Sequence, residues 1–153
     1  MHAPTAPYRV CVAGGRDFDN YPALKAALET LLATLPPGKK GARLVIVSGG
    51  ATGADRLGER FAKEHGLALE VYPADWSAHG RYAGPIRNAE MARISDELAA
   101  FWNGRSRGTR HMIRQMRLLG KPVAVFDYQG RPRPAAEPLS LPGMGGKAGA
   151  AAT

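Results

Sequence analysis

The stretch RLVIVSGGATGAD, residues 43–55, decides the fold. Its apolar run is what a strand covered on both faces requires. The run empties into Ser48, Gly49, Gly50, Thr52 and Gly53, and then into Asp55. Glycine at such a turn lets the main chain approach a ligand and takes a positive φ without strain. A helical pattern follows in GADRLGERFAKEHG, with Leu57 and Phe61 on one side and Gly66 as its stop. Strand, glycine turn and helix make the first part of a βαβ unit.

The same unit recurs on either side. YRVCVA (8–13), LALEVYP (67–73), ELAAFW (97–102) and PVAVFDY (122–128) are the other strand candidates, of which ELAAFW is weakest by propensity. Between the first two strands, Leu24, Ala27, Leu28, Leu31 and Leu35 form one apolar stripe, opened by Asn20 as N-cap and closed by Pro36, Pro37 and Gly38. GPIRNAEMARIS starts a further helix. GTRHMIRQMRLLG places Met112, Ile113, Met116 and Leu119 on one side of another. The order β-α-β-α-β-α-β-α-β predicts a single α/β, Rossmann-like domain with a parallel sheet of about five strands and helices on both faces. We place that domain at 8–129, after a flexible N-terminus at 1–7. The Pro, Gly and Ala of 130–153 cannot bury enough to offset their ordering entropy, so that tail is expected to be disordered.

The chain has 153 residues, enough for one domain with its own core. Its single cysteine, Cys11, lies in an apolar run and reads as a core residue. The start has no basic n-region or apolar h-region, and no run is long enough to span a bilayer, so a cytoplasmic protein without a membrane partner is expected. Twenty-one Lys and Arg against 13 Asp and Glu give a net charge of +8, which favours anionic partners or serves solubility alone. No His, Cys or Asp cluster has metal-ligand spacing, so neither a metal nor a required cofactor is expected beyond a nucleotide ligand.

In a sheet of this kind ligands bind outside the carboxyl ends of the strands. The four connections that leave those ends carry Gly14, Gly15, Arg16 and Asp17; then SGGATGAD; then ADWSAHGRYAGPIRN; then NGRSRGT. Gly104, Ser106, Gly108 and Thr109 fit an anion cradle at a helix start, as do Gly49, Gly50, Thr52 and Gly53. Arg16 and Arg87 add charge-assisted bonds to phosphate oxygens, joined by Arg81, Arg105 and Arg107. Arg87 is placed in a first helical turn, where a cation opposes the dipole and a bound anion would account for it. Asn88 beside it reads as a base or ribose contact. Asp17 and Asp55 are the candidate catalytic carboxylates and candidate ribose acceptors, with Asp55 equally well placed to cap its helix. Trp76 and Tyr82 are candidate stacking residues or packing for the third loop, and His79 and His111 are weaker acid–base candidates.

GGRDF, SGGATGAD, the tryptophan with GRYAGPIRN, and FWNGRSRGT together resemble the YspA/YpsA-related branch of the SLOG superfamily, over about 8–128. The resemblance implies a Rossmann-like fold and a nucleotide or nucleotide-derived ligand. The superfamily includes the Lonely-Guy phosphoribohydrolases, which cleave N-glycosidic bonds of nucleotides, and the DNA-processing protein A family, which binds single-stranded DNA. The phosphoribohydrolases carry G-G-x-G-T-x-x-E with a catalytic glutamate. Here Gly108 and Thr109 match, but Met112 stands in the glutamate's place, and a thioether transfers no proton. Those enzymes also have Arg-Lys early in a helix, where this chain has Arg87 and Asn88.

Three functions fit this reading. The first is a binding or sensing domain for a nucleotide or phosphorylated small molecule of the ADP-ribose, NAD or nucleoside monophosphate class. The second is a nucleotide hydrolase of phosphoribohydrolase type, with Asp17 or Asp55 replacing the missing glutamate. The third is single-stranded nucleic acid binding, for which the usual lysine and aromatic interleaving is lacking. A homodimer through Met116 or Leu118 is a further expectation from the resemblance.

Overall fold

A computed structural model describes residues 6–35 and 42–133. Five strands, β1 (Pro7–Gly14), β2 (Arg43–Ser48), β3 (Ala68–Val71), β4 (Glu97–Phe101) and β5 (Val123–Phe126), form one sheet in the order β3-β2-β1-β4-β5. Every strand pairing is parallel. The long helices are α1 (Tyr21–Ala33), α2 (Ala54–Glu64), α4 (Ala83–Ile94) and α5 (Arg107–Leu118). A short helix α3 (Trp76–His79) and a 3-10 turn (Gly80–Tyr82) precede α4.

Alternation along β1 divides the core. Tyr8, Val10 and Val12 join the cluster under α1 and α2 with Phe18, Leu24, Leu28 and Phe61. Cys11 and Ala13 join the opposite cluster, with Met91 of α4 and with Met112, Ile113 and Met116 of α5. The sheet is therefore doubly wound, with helices on both faces. The chain first moves outward from β1 to β3, then crosses back to β4, so the strand order reverses between β1 and β4. Their carboxyl ends part there and leave a crevice, the position at which such folds bind ligands.

Local signals set several boundaries. Asn20 caps α1, its side chain accepting from the Ala23 N–H at 3.2 Å. The helix stops at Ala33; the stop assigned to residues 36–38 lies outside the described residues. Gly66 ends α2 with φ +65°. Lys121 closes α4 from a distance, its Nζ donating to the carbonyls of Ala92, Arg93 and Ser95 at 2.7, 2.9 and 2.7 Å. Two side chains depart from expectation. Met116 is fully buried and Leu119 is about half exposed, because α5 ends at Leu118 and Leu119 no longer follows the stripe. Of the two residues proposed for an interface, only Leu118 is at the surface.

The strand β1 begins one residue earlier than expected, at Pro7. After β5 the chain turns back on itself at residues assigned to the tail. Asp127 donates its N–H to the Arg131 carbonyl, and Arg133 donates its N–H to the Val125 carbonyl at 2.7 Å. Pro132 bridges Phe126 in antiparallel sense. The Arg133 guanidinium lies 5.0 Å from the Trp102 ring centre and donates to the Trp102 carbonyl. The first four residues of the supposed tail, 130–133, are thus fastened to the sheet; the rest of it, and residues 1–5, lie outside the described residues. No described helix is long and apolar enough to cross a membrane.

Candidate functional site

The four strand-to-helix segments meet. A cavity of about 440 Å³ opens over the β1/β4 crevice, lined by Gly14 and Arg16 after β1, Asp55 after β2, Arg87 and Asn88 after β3, and Gly108 and Thr109 after β4. A smaller cavity of about 270 Å³ adjoins it, lined by Gly49, Gly50 and Thr52 with Pro73 and Ala74. Arg16, Ala51, Trp76 and Arg87 line both.

The turns reach this arrangement by packing against one another. A Cβ on Gly14 would overlap the Phe101 carbonyl oxygen and the Ala54 side chain. Gly53 has φ +79°, and a Cβ there would overlap the Gly15 carbonyl oxygen. That same carbonyl accepts from the Ala54 N–H at 3.2 Å, so the β1 and β2 turns hold each other. Both glycines are required by chain touching chain.

Ser48 supports the site from below. It is fully buried, its hydroxyl donates to Glu59 Oε2 at 2.7 Å and accepts from the Gly50 N–H at 3.0 Å, and it lines neither cavity. Arg87 is the fifth residue of α4 and lies beyond the first turn, so the dipole argument does not hold for it. Its guanidinium spans from α4 to the β2 turn, donating from Nη1 to the Gly49 carbonyl at 2.6 Å and from Nε to Asn88 Oδ1 at 3.0 Å. Asn88 is buried and donates to the Gly108 carbonyl at 3.2 Å, with His111 Nδ1 at 3.3 Å. These two residues join three of the turns and still face the cavity.

The two carboxylates separate. Asp17 is exposed, accepts from the Tyr128 hydroxyl at 2.5 Å and lines neither cavity, so it is withdrawn as a catalytic candidate. Gly15 lies against the same hydroxyl. Asp55 is the second residue of α2, buried, and accepts from the Ala51 N–H at 3.3 Å. Burial pushes its carboxyl up to about 6, against the pull of the Ala51 N–H and of the Arg87 charge. A carboxyl that exchanges its proton near neutrality inside a cleft is suited to acid–base work or to a pH-sensitive contact.

At the fourth turn, Ser106 caps α5 by accepting from the Thr109 N–H at 3.3 Å, and the two hydroxyls lie 2.9 Å apart. Ser106 and Gly104 shape this turn without lining either cavity, whereas Gly108 and Thr109 line the larger one. The first turn of α5 contains no acidic residue, yet Arg107 occupies its first position. Burial and the Arg114 charge lower the His111 pKa, so its imidazole favours the neutral form. Trp76 lies at the rim, about half exposed, while Tyr82 and His79 line neither cavity.

Sequence reasoning missed part of the lining. Ala13, Pro85 and Met91 supply apolar wall that was not anticipated, and Met112 joins Arg107 and His111, both named from the sequence, in lining it from the first turns of α5. A signal existed for some of them. Met91 falls one helical turn after Arg87 and Asn88, and Met112 one turn after Gly108 and Thr109. Met112 lines the cavity at the position where the phosphoribohydrolase pattern has its glutamate. Among the described residues, no three His, Cys, Asp or Glu side chains gather as a metal site would need.

A doubly wound parallel sheet with an arginine-lined cleft over its reversal point defines a Rossmann-like α/β protein. The chain belongs to the YspA, cpYpsA-related SLOG family, whose model matches residues 8–79. It is 40% identical over 124 residues to the Gene 61 protein of Mycobacterium phage D29, covering 77% of this chain and 95% of that protein. Its fold is similar to that of DNA processing protein A (DprA) from Streptococcus pneumoniae, with a TM-score of 0.59 at 18% identity. That match covers 80% of this chain and 50% of the other, so the chain spans about half the length of that structure.

Proposed function

We propose that the protein binds a nucleotide or nucleotide-derived ligand, of the ADP-ribose, NAD or nucleoside monophosphate class, at the carboxyl edge of its sheet, as a sensor or binding domain. The observation that carries this reading is the convergence of all four strand-exit turns on one cleft lined by Arg16, Arg87 and Arg107. Among the described residues, neither Arg16 nor Arg107 makes a side-chain hydrogen bond or ion pair. Arg107 also sits at a helix start whose unbonded N–H groups and dipole already favour an anion. A phosphate there satisfies the N–H groups and the guanidinium together. The apolar wall of Ala13, Met91 and Met112 suits a base or the carbon face of a sugar. Calorimetric titration with a panel of nucleotides tests the reading. Binding is expected, weakened about 10-fold or more in Arg107→Ala, the loss typical of a charge-assisted bond. No binding heat from any nucleotide at millimolar concentration overturns it.

Membership of the SLOG family is compatible with processing as well as binding, and Asp55 favours a second reading. It is the buried carboxyl in the cleft, and its proton affinity suits transfer near neutral pH. In this reading the cleft hydrolyses a nucleotide at its N-glycosidic bond, with Asp55 serving where Met112 replaces the glutamate. Chromatography for free base after incubation with nucleoside monophosphates decides it: activity abolished in Asp55→Asn supports the role, and unchanged activity removes it.

A further inference from the structure

We propose that the outer face of α5 is a docking surface for the phosphate backbone of double-stranded nucleic acid, separate from the cleft.

The placement of charge carries it. In residues 103–133 the sequence has eight Lys and Arg and a single acid, Asp127, so +7 of the chain's net charge of +8 arises there. Helix α5 contributes four of those arginines and no carboxylate. Arg107, at its head, lines the cleft and is left to it. Arg110, Arg114 and Arg117 follow at four- and three-residue steps, on one side of the helix and outside both cavities of the candidate site. Arg110 and Arg114 are exposed and Arg117 is partly so. The three make no side-chain hydrogen bond or ion pair among the described residues. Cations elsewhere do find carboxylates: Lys25 meets Glu29 at 3.1 Å, and Arg9 and Arg60 meet Glu70 and Glu64 at 2.9 Å. Like charges three and four residues apart repel and weaken the helix that bears them. A polyanion laid along α5 turns that repulsion into attraction.

The row continues past the helix. The guanidiniums of Arg110 and Arg133 lie 5.6 and 5.0 Å from the Trp102 ring centre, which carries the row onto the segment that follows β5. At the rise of an α-helix, Arg110 and Arg117 stand about 10 Å apart along the axis. A duplex presents one phosphate charge per ~1.7 Å of its axis, a density that such a row can engage at several points.

Shape decides between two strands and one. Single strands lie in a trench and stack their bases on aromatic side chains. The hollow above these arginines, of about 370 Å³, is lined by α5 alone, through Arg107, Arg110, His111, Arg114, Gln115 and Leu118. No second wall among the described residues makes it a trench. Trp102 is the aromatic side chain beside the row, and its ring already lies against two guanidiniums. A convex row of cations without a stacking platform fits the outside of a duplex and reads no sequence.

Fluorescence anisotropy on the full chain tests this with a labelled duplex of about 20 base pairs, in two unrelated sequences, and with each of its single strands. Both duplexes are expected to bind about equally, about 10-fold or more tighter than either strand, and about 100-fold more weakly at about 200 mM salt than at about 50 mM. Arg114→Gln combined with Arg117→Gln is expected to weaken duplex binding about 10-fold and to lower the salt slope by about 2. Glutamine is a good helix former, and an unchanged circular dichroism spectrum reports the fold. Lys25→Gln combined with Lys63→Gln removes the same charge from α1 and α2, on the other face of the sheet, and is expected to leave duplex binding unchanged. No complex at about 50 mM salt, equal affinity for single strands, capture by phosphatidylserine vesicles but not by duplex, or equal losses from the two double variants overturns the duplex surface. Neither Arg114 nor Arg117 lines the cleft, so nucleotide titration of that variant is expected to match the native chain, and the two readings fail separately.

Discussion

At the residue scale, the candidate site contains two kinds of position that the sequence writes alike. Gly53 and Arg16 both sit in strand-exit turns, but they answer to different demands. Gly53 combines a left-handed φ with contact against the Gly15 carbonyl. Gly53→Ala is expected to cost roughly 3 kcal/mol or more, since it joins backbone strain to overlap with main chain that has no room to yield. Urea unfolding monitored by circular dichroism measures it. Arg16 contributes almost nothing to the fold, being exposed and without a partner among the described residues. Arg16→Ala should move stability by no more than about 0.5 kcal/mol while weakening nucleotide binding about 10-fold. A large loss of stability with binding intact would reverse the roles assigned here.

At the element scale, what the sequence revealed followed from how far each cause lies along the chain. The strands, the Asn20 cap and the Gly66 stop depend on residues close along the chain, and they appear where they were read, the strand ends shifted by at most two residues. Helix α3 was not anticipated, because its four residues have no buried side chain and so no apolar period. The loss of Asp17 from the site was equally hidden, since its partner Tyr128 lies 111 residues away. The reach of Arg87 across to the Gly49 carbonyl is likewise a tertiary bond, invisible to a reading that assigned it to the first turn. Lys121 is another such case. Its ammonium satisfies three carbonyls at the end of α4, 26 to 29 residues distant. Lys121→Met keeps the aliphatic stem and removes the donors. A loss of about 1–3 kcal/mol is expected in denaturant unfolding, with faster amide exchange in the last turn of α4.

At the scale of the whole molecule, Asp55 ties stability to pH. An aspartate in the unfolded chain ionises near pH 4, whereas in the fold burial pushes this carboxyl up to about 6. Between those values the folded state holds a proton that the unfolded state has released. Stability from this group therefore falls as pH rises from about 4 to about 6, then stays level. Two pKa units correspond to about 3 kcal/mol as an upper bound. Asp55→Asn removes the charge, so its stability relative to the native sequence should improve as pH rises across that window. Parallel urea titrations at about pH 4 and about pH 8 measure the change, and a constant difference between the two proteins would contradict it.

The return of the chain after β5 has one more consequence. An outermost strand offers a row of unused amides and carbonyls on which a neighbouring molecule can build. In this protein, Asp127 and Val125 meet Arg131 and Arg133 of the same chain, and Pro132, with no N–H to offer, sits opposite Phe126. The molecule has become its own neighbour along that border and closes it with a residue that cannot extend the ladder. A chain ending at Gln129 should self-associate on concentration, as seen by light scattering, where one ending at Arg133 stays dispersed.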